Sequence, residues 1–281
     1  MIGLRVEIVF HWGFWIRAPY TSRYQSSLSL PPPTTLIGAL VNPLISLGYI
    51  RSDGTEFYEV VLSDGRQASP VIEFKDMIPT VSFYYKSINA YSYSDINRYI
   101  GLHYQSRARE KEREKTAGGR RYLPEYRFMG LKVGKVTSPS SRGVACYLIN
   151  EEEASDRLGY NWKDIIQIAA YNINRIGSKE SIVSVDSVSL VDGVKVINAP
   201  ADKMRTRCYI PLRCTDESSV REHYYIETFW KEGWSEDKGA EYEDYLIPGS
   251  RSPISTKPIE FTLKEGKAYE LDEEEVLVVV A

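Results

Sequence analysis

The chain has 281 residues, 43% of them hydrophobic and 26% charged, with a formal net charge of −3. That is the make-up of an ordinary globular protein, long enough to bury a full core as one large domain or two modest ones. It holds no apolar run of membrane-spanning length, no GxxxxGKS/T, GxGxxG or GxSxG motif, and three histidines at no metal-ligand spacing, so no membrane association, metal site or cofactor is expected. Cys146, Cys208 and Cys214 are odd in number and form no CxxC, and residues 1–13 lack the basic start and cleavage site of a signal peptide. A reducing cytoplasm is the expected compartment.

From the N-terminus, Leu4, Val6, Ile8 and Phe10 alternate with Arg5, Glu7 and Val9, which predicts a strand with one buried face. His11–Trp15 reads as its aromatic continuation, and Arg17–Ser29 as a polar loop. Pro31-Pro32-Pro33 stops extended pairing, with Thr34 or Thr35 expected to cap a helix. Leu36, Ile37, Leu40, Val41, Leu44 and Ile45 repeat at helical spacing until Gly48, with Pro43 as a kink or last full turn. Gly38 is read as a point of close helix–sheet approach. Arg51–Gly65 suggests a hairpin, and Val71–Phe74, Val81–Ile88 and Val144–Ile149 suggest strands. Asn161–Ile176 carries a stripe of Trp162, Ile165, Ile166, Ala169, Ile173 and Ile176, a helix capped by Asn161 and ended by Gly177. Ile182–Val191 alternates as a further strand.

Strand, helix, strand, insertion, strand, helix, strand is the α+β, ferredoxin-like βαββαβ order found in RRM-type domains. We divide the chain into this core, residues 1–198, with an insertion at about 89–142, and an acidic β-rich region, residues 199–281. Strands are expected there at Tyr209–Arg213, His223–Trp230, Ile259–Leu263 and Val276–Val280. From Cys214 to Ala281 there are 17 acids against 7 bases, so this region should pack on the core or face a protein rather than a polyanion.

Charge singles out the insertion. Between Arg98 and Lys135 lie eleven Lys/Arg and four Glu, a net +7 on a chain that is otherwise −10. Glu110, Glu112 and Glu114 compensate part of it locally. Arg107, Arg109, Arg113, Lys115, Arg120, Arg121, Arg127, Lys132 and Lys135 form a local electrostatic footprint. Tyr84, Tyr91 and Tyr93 stand just before it. Cations neutralise phosphates and aromatic rings stack on splayed bases, a combination that suits single-stranded RNA. Cross-strand packing explains the tyrosines equally well. Thr34 and Thr35 either cap their helix or offer hydroxyls and amides to a phosphate, and Arg17, Arg23 and Tyr24 lie on the loop leading there. For metal-free RNA cleavage, which needs a base beside a 2′-hydroxyl, the candidates are His11 and His103.

The run Ser29-Leu30-Pro31-Pro32-Pro33-Thr34-Thr35-Leu36-Ile37-Gly38-Ala39-Leu40 resembles the CRISPR-associated Cas-five family, more narrowly its archaeal subtype I-A branch. Arg175-Ile176-Gly177-Ser178-Lys179-Glu180-Ser181 supports the resemblance, which covers roughly residues 1–190. It implies a RAMP-superfamily protein that caps one end of a Cascade complex and holds the 5′ handle of the CRISPR RNA. The implied partners are that RNA, the backbone subunit (Cas-seven family) and the large subunit (Cas-eight family), with target DNA met through the assembled complex. The basic insertion falls where the family carries a projecting thumb. A glycine-rich loop common in RAMP proteins is not matched: Gly130, Gly134 and Pro248-Gly249-Ser250 lie elsewhere. The resemblance implies a non-catalytic role, with a subtype I-C relative as precedent for the alternative, a metal-free endoribonuclease processing precursor CRISPR RNA.

Overall fold

The structure, a computed structural model, describes residues 1–21, 24–50, 60–61, 67–86, 89–99, 129–138, 142–231 and 241–280. In chain order the first part contains β1 (Ile2–Phe10), β2 (Tyr24–Gln25), α1 (Pro33–Ser46), α2 (Pro70–Phe74), β3 (Thr80–Tyr85), β4 (Tyr91–Tyr99), β5 (Met129–Thr137), β6 (Arg142–Ile149), α3 (Glu151–Leu158), α4 (Trp162–Tyr171) and β7 (Val183–Val191). Four of these strands form an antiparallel sheet in the order β3-β6-β1-β7.

Alternation in β1 does what its sequence requires: Leu4, Val6, Ile8 and Phe10 are buried on one face. They meet Leu36, Leu40 and Leu44 of α1 and Ile166, Ala169 and Ala170 of α4 in one apolar cluster. Each such fully buried aliphatic side chain stabilises by about 1.5–3 kcal/mol. Tyr147, also fully buried, donates its hydroxyl to the Leu36 carbonyl at 3.0 Å, tying sheet to helix without stranding a polar group.

Several local expectations need correction. β1 stops at Phe10, and Trp12 is 75% exposed while Phe14 is buried. Pro33, not a threonine, opens α1: Pro32 is the N-cap, no side chain caps it, and Thr34 and Thr35 lie in the first turn. Proline suits that place because its absent N–H has no helical partner to miss. Gly38 is not crowded; a Cβ built there meets nothing within 4 Å. Val71–Phe74 is helical, started by Pro70 and capped by the Ser69 hydroxyl. α4 ends at Tyr171, so Ile173 and Ile176 are buried from the turn that follows, and Asn161 makes no side-chain cap. The acidic α3, capped by Asn150, was not anticipated. Of the hairpin at Arg51–Gly65 only Val60–Val61, paired with Gln67–Ala68, is among the described residues.

The later part contains β8 (Lys195–Asn198), β9 (Ala201–Thr206), β10 (Ile210–Pro211), β11 (Tyr224–Trp230), β12 (Tyr242–Pro248), β13 (Ile259–Leu263), β14 (Lys267–Asp272) and β15 (Glu275–Val279). These make small antiparallel sheets, β8-β14-β15 and β10-β12-β11, with β9 paired to β13. Tyr269, Leu271 and Leu277 pack on Tyr84, Val144, Cys146 and Leu148, on the side of the central sheet away from α1 and α4. The acidic region therefore packs on the core, one of the two outcomes its charge allowed.

Candidate nucleic-acid interface

β4 and β5 form an antiparallel ribbon from Tyr91↔Thr137 to Tyr99↔Met129, and residues 100–128, which lie outside the described residues, connect its ends. β2 adds to it in parallel, Tyr24 opposite Lys132. The segment after β1 is stitched to this ribbon: Phe14 and Val136 exchange backbone hydrogen bonds of 2.8 and 2.9 Å. Gly13 permits that approach. Its φ is +74°, and a Cβ would sit 2.0 Å from the Val136 carbonyl oxygen. On its other side the segment holds the loop after α4, with the Ser178 amide donating to the Trp15 carbonyl (3.1 Å) and the Trp15 amide to the Ser181 hydroxyl (3.2 Å).

Two concavities follow from this stitching. One, of about 270 Å³, lies along α1 and is lined by Thr34, Thr35 and Gly38 on that helix and by Asn174, Arg175 and Gly177 beyond α4. The two sequence runs quoted for the resemblance thus wall one cavity. The Thr35 and Leu36 amides are used by the Pro32 carbonyl (3.1 and 3.2 Å), which leaves the Thr34 amide as a helix-terminal donor with no acceptor among the described residues. Arg175 is exposed and makes no ion pair among the described residues. Two hydroxyls, one amide, a helix N-terminus and a guanidinium are chemistry for an anion. The second concavity, about 130 Å³, is bounded by Trp12, Trp15, Tyr93, Lys135, Ser178 and Glu180. Gly177 and Ser178 belong one to each, so the two adjoin.

No protein-family model matches the chain. Two proteins of the archaeon Saccharolobus solfataricus are each 30% identical to it: CRISPR-associated protein Cas5 3, over 283 residues, and CRISPR system aCascade subunit Cas5 1, over 281 residues. Each alignment covers 99% of both proteins. The chain belongs to the CRISPR-associated Cas5 family. A crystal structure of a CRISPR protein from Archaeoglobus fulgidus shares the fold, with a TM-score of 0.59 at 20% identity over all of both chains.

In this Cas5-family chain the predicted residues have divergent fates. Arg17 is exposed, and its guanidinium is turned onto Thr21, bonding that residue's carbonyl and, at 3.3 Å, its hydroxyl, so it staples its own loop. Thr34 and Thr35 line the larger cavity without capping. Tyr24 and Lys132 are placed by their strands. Lys135 is paired with Asp95 at 2.9 Å, and that bond raises its pKa, with burial opposing. Arg23, Arg107, Arg109, Arg113, Lys115, Arg120, Arg121, Arg127 and His103 lie outside the described residues.

Tyr84 is a correction. It is 4% exposed, and its hydroxyl donates to Glu275 at 2.5 Å. Burial first, then that bond, pushes its pKa well above the phenol range, so it is not a stacking platform. Tyr91 and Tyr93 remain exposed. His11 is exposed at the end of β1 with its Nε2 3.1 Å from the Ser184 hydroxyl. Sequence reasoning did not single out Asn174, Arg175, Glu180 or the exposed Trp12 as site residues. The second quoted run contains two of them, Arg175 and Glu180, but nothing local shows that it returns to α1 and β1.

Proposed function

We propose that this Cas5-family chain is a non-catalytic RNA-binding subunit of a Cascade complex of subtype I-A, holding the 5′ handle of the CRISPR RNA and capping the backbone. The observation that carries this reading is the cavity where Thr34, Thr35 and Gly38 face Asn174, Arg175 and Gly177, beside the ribbon that leads into the +7 stretch. A cationic segment that tracks a backbone, next to hydroxyls and amides that seat a phosphate, suits a single strand. The core is read as ferredoxin-like, of the RRM and RAMP kind. The order β3-β6-β1-β7 supports this, since it places the second, third, first and fourth strands of the βαββαβ unit side by side. The partners in this reading are the CRISPR RNA, the Cas-seven and Cas-eight family subunits, and target DNA through guide pairing. Three cysteines kept as buried thiols agree with a cytoplasmic setting, and among the described residues no helix is long and apolar enough to cross a membrane.

The test is binding and scission of labelled repeat RNA by the purified chain without metal. If about five phosphates are neutralised, log affinity falls against log salt with a slope of about −3.5, and no cleavage occurs. Charge reversal at Arg120 and Arg121 weakens binding alike for all sequences. Cleavage abolished by His11→Ala or His103→Ala would instead establish the endoribonuclease reading.

A further inference from the structure

The smaller concavity has features that phosphate binding does not use. Trp12 is 75% exposed and Tyr93 45% exposed, and both border it. Two large rings exposed at one cleft supply stacking surfaces with no ring partner among the described residues. Trp15, in the same wall, has a buried indole N–H with no acceptor among the described residues, an orphan donor of the kind that native proteins rarely leave. Glu180 and Lys135 stand at the rim. The first is a carboxylate acceptor, and the second, held by Asp95, is an ammonium donor. The Glu180 carboxyl is drawn below its ordinary value, by its own backbone N–H first and the Ser178 hydroxyl next, with Lys135 adding to it, so it is an anion at neutral pH.

We propose that this cleft seats one unpaired nucleobase of the bound RNA, stacked on Trp12 and Tyr93, with Glu180 accepting from an exocyclic amino group and Lys135 donating to a ring acceptor. A carboxylate selects bases that carry an amino group, as it does when accepting from cytosine N4. Uracil, which has none, is disfavoured. Phosphates give grip without sequence; this cleft adds base preference beside them. The inference rests on the RNA-binding reading above and adds a site to it.

The test uses fluorescence anisotropy on the full chain with single-stranded RNA decamers of cytidine, adenosine or uridine, and an adenosine decamer carrying one 2-aminopurine. The wild type binds the cytidine and adenosine decamers more tightly than the uridine one and quenches the 2-aminopurine. Trp12→Ala and Tyr93→Ala, both at exposed positions, lose roughly five- to a hundredfold in affinity together with the quench. Their salt slope stays at the wild-type value, because no phosphate contact is removed. Glu180→Gln narrows the cytidine-over-uridine preference. Equal affinity for all decamers, with the aromatic variants unchanged and the salt slope intact, overturns the base cleft while leaving the RNA-binding reading standing. No binding to any decamer overturns both.

Discussion

Tyr84 and Tyr93 stand nine residues apart in the same tyrosine-rich stretch, yet the molecule uses them oppositely. Tyr84 lies on the side of the central sheet covered by the C-terminal strands, where Glu275 accepts from its hydroxyl and from Arg5 Nε at 2.9 Å. Tyr93 lies on the ribbon, in the open, beside Lys135 and Trp12. The difference is what covers each. An acidic region with 17 carboxylates sends one of them into the sheet to meet the Arg5 cation, and in doing so covers part of the surface on which an RRM-type sheet would stack bases. In the proposed reading, nucleic-acid chemistry is left to the edge, where the ribbon, the post-β1 segment and the loop after α4 come together. Charge is segregated along the sequence as well: the acids dominate residues 214–281, while the basic excess falls in residues 98–135.

The comparison breaks most readily at Glu275. Its side chain is 6% exposed, and Arg5 opposite it is 24% exposed. Burial works against the Arg5 charge, but bonds to Glu275, Tyr84 and Glu7 more than offset it and raise its pKa further. Glu275→Ala takes the acceptor from the buried Tyr84 hydroxyl and leaves the guanidinium to Glu7 and the Tyr84 oxygen. We expect a loss of about 3 kcal/mol in urea unfolding, with Tyr84 becoming accessible to quenchers. A loss under about 1 kcal/mol is the behaviour of an exposed ion pair and would mean that the C-terminal region merely leans on the sheet.

On the open side the critical position is Gly13. Gly13→Ala places a side chain in the left-handed region and against the Val136 carbonyl. A destabilisation of about 2 kcal/mol is expected, together with faster hydrogen exchange at the Val136 amide as the segment lifts from the ribbon. Unchanged exchange at Val136 would show that the stitch is not what positions Trp12.

A smaller effect concerns the second inward carboxylate. Glu227 accepts the Ser29 amide on both oxygens (3.2 and 3.0 Å) and the Ser29 hydroxyl at 2.5 Å, with Tyr225 and Arg251 close by. It thereby fixes Ser29, two residues before the proline run that leads into α1. Burial lifts its pKa above the ordinary 4.5, with the Ser29 bonds and Arg251 opposing. A carboxyl whose pKa rises on folding is disfavoured as an anion in the native state, so its contribution declines as pH climbs from 4.5 through the raised value. Relative to wild type, Glu227→Gln should therefore gain thermal stability as pH rises from 4 to 7. A difference that shrinks with pH would contradict this sign.

How much was legible follows the range of the forces. Alternation in Leu4–Phe10 and Ile182–Val191 and the helical stripe from Leu36 are local patterns, and they marked β1, β7 and α1 correctly. Pro33 and Pro70 each begin a helix, but a proline reads equally well as a strand stop, so the sequence suggests Thr34 or Thr35 as a cap and Val71–Phe74 as a strand. The sequence leaves Tyr84 open between stacking and packing because what covers it is remote: Glu275, which takes its hydroxyl, is 191 positions away. The larger cavity was half-visible: its two walls stood out as sequence runs, but only the packing of α1 against the turn after α4 brings Arg175 opposite Thr34.

Ultraviolet crosslinking of the full chain to repeat RNA, with the crosslinked peptides mapped by mass spectrometry, tests the division of the molecule most directly. The account predicts crosslinks in residues 98–135, on Tyr93 and in Trp12–Trp15, with none on Tyr84 or Tyr269. Crosslinks concentrated in residues 199–281, or spread over Tyr84 and Tyr269, would contradict it.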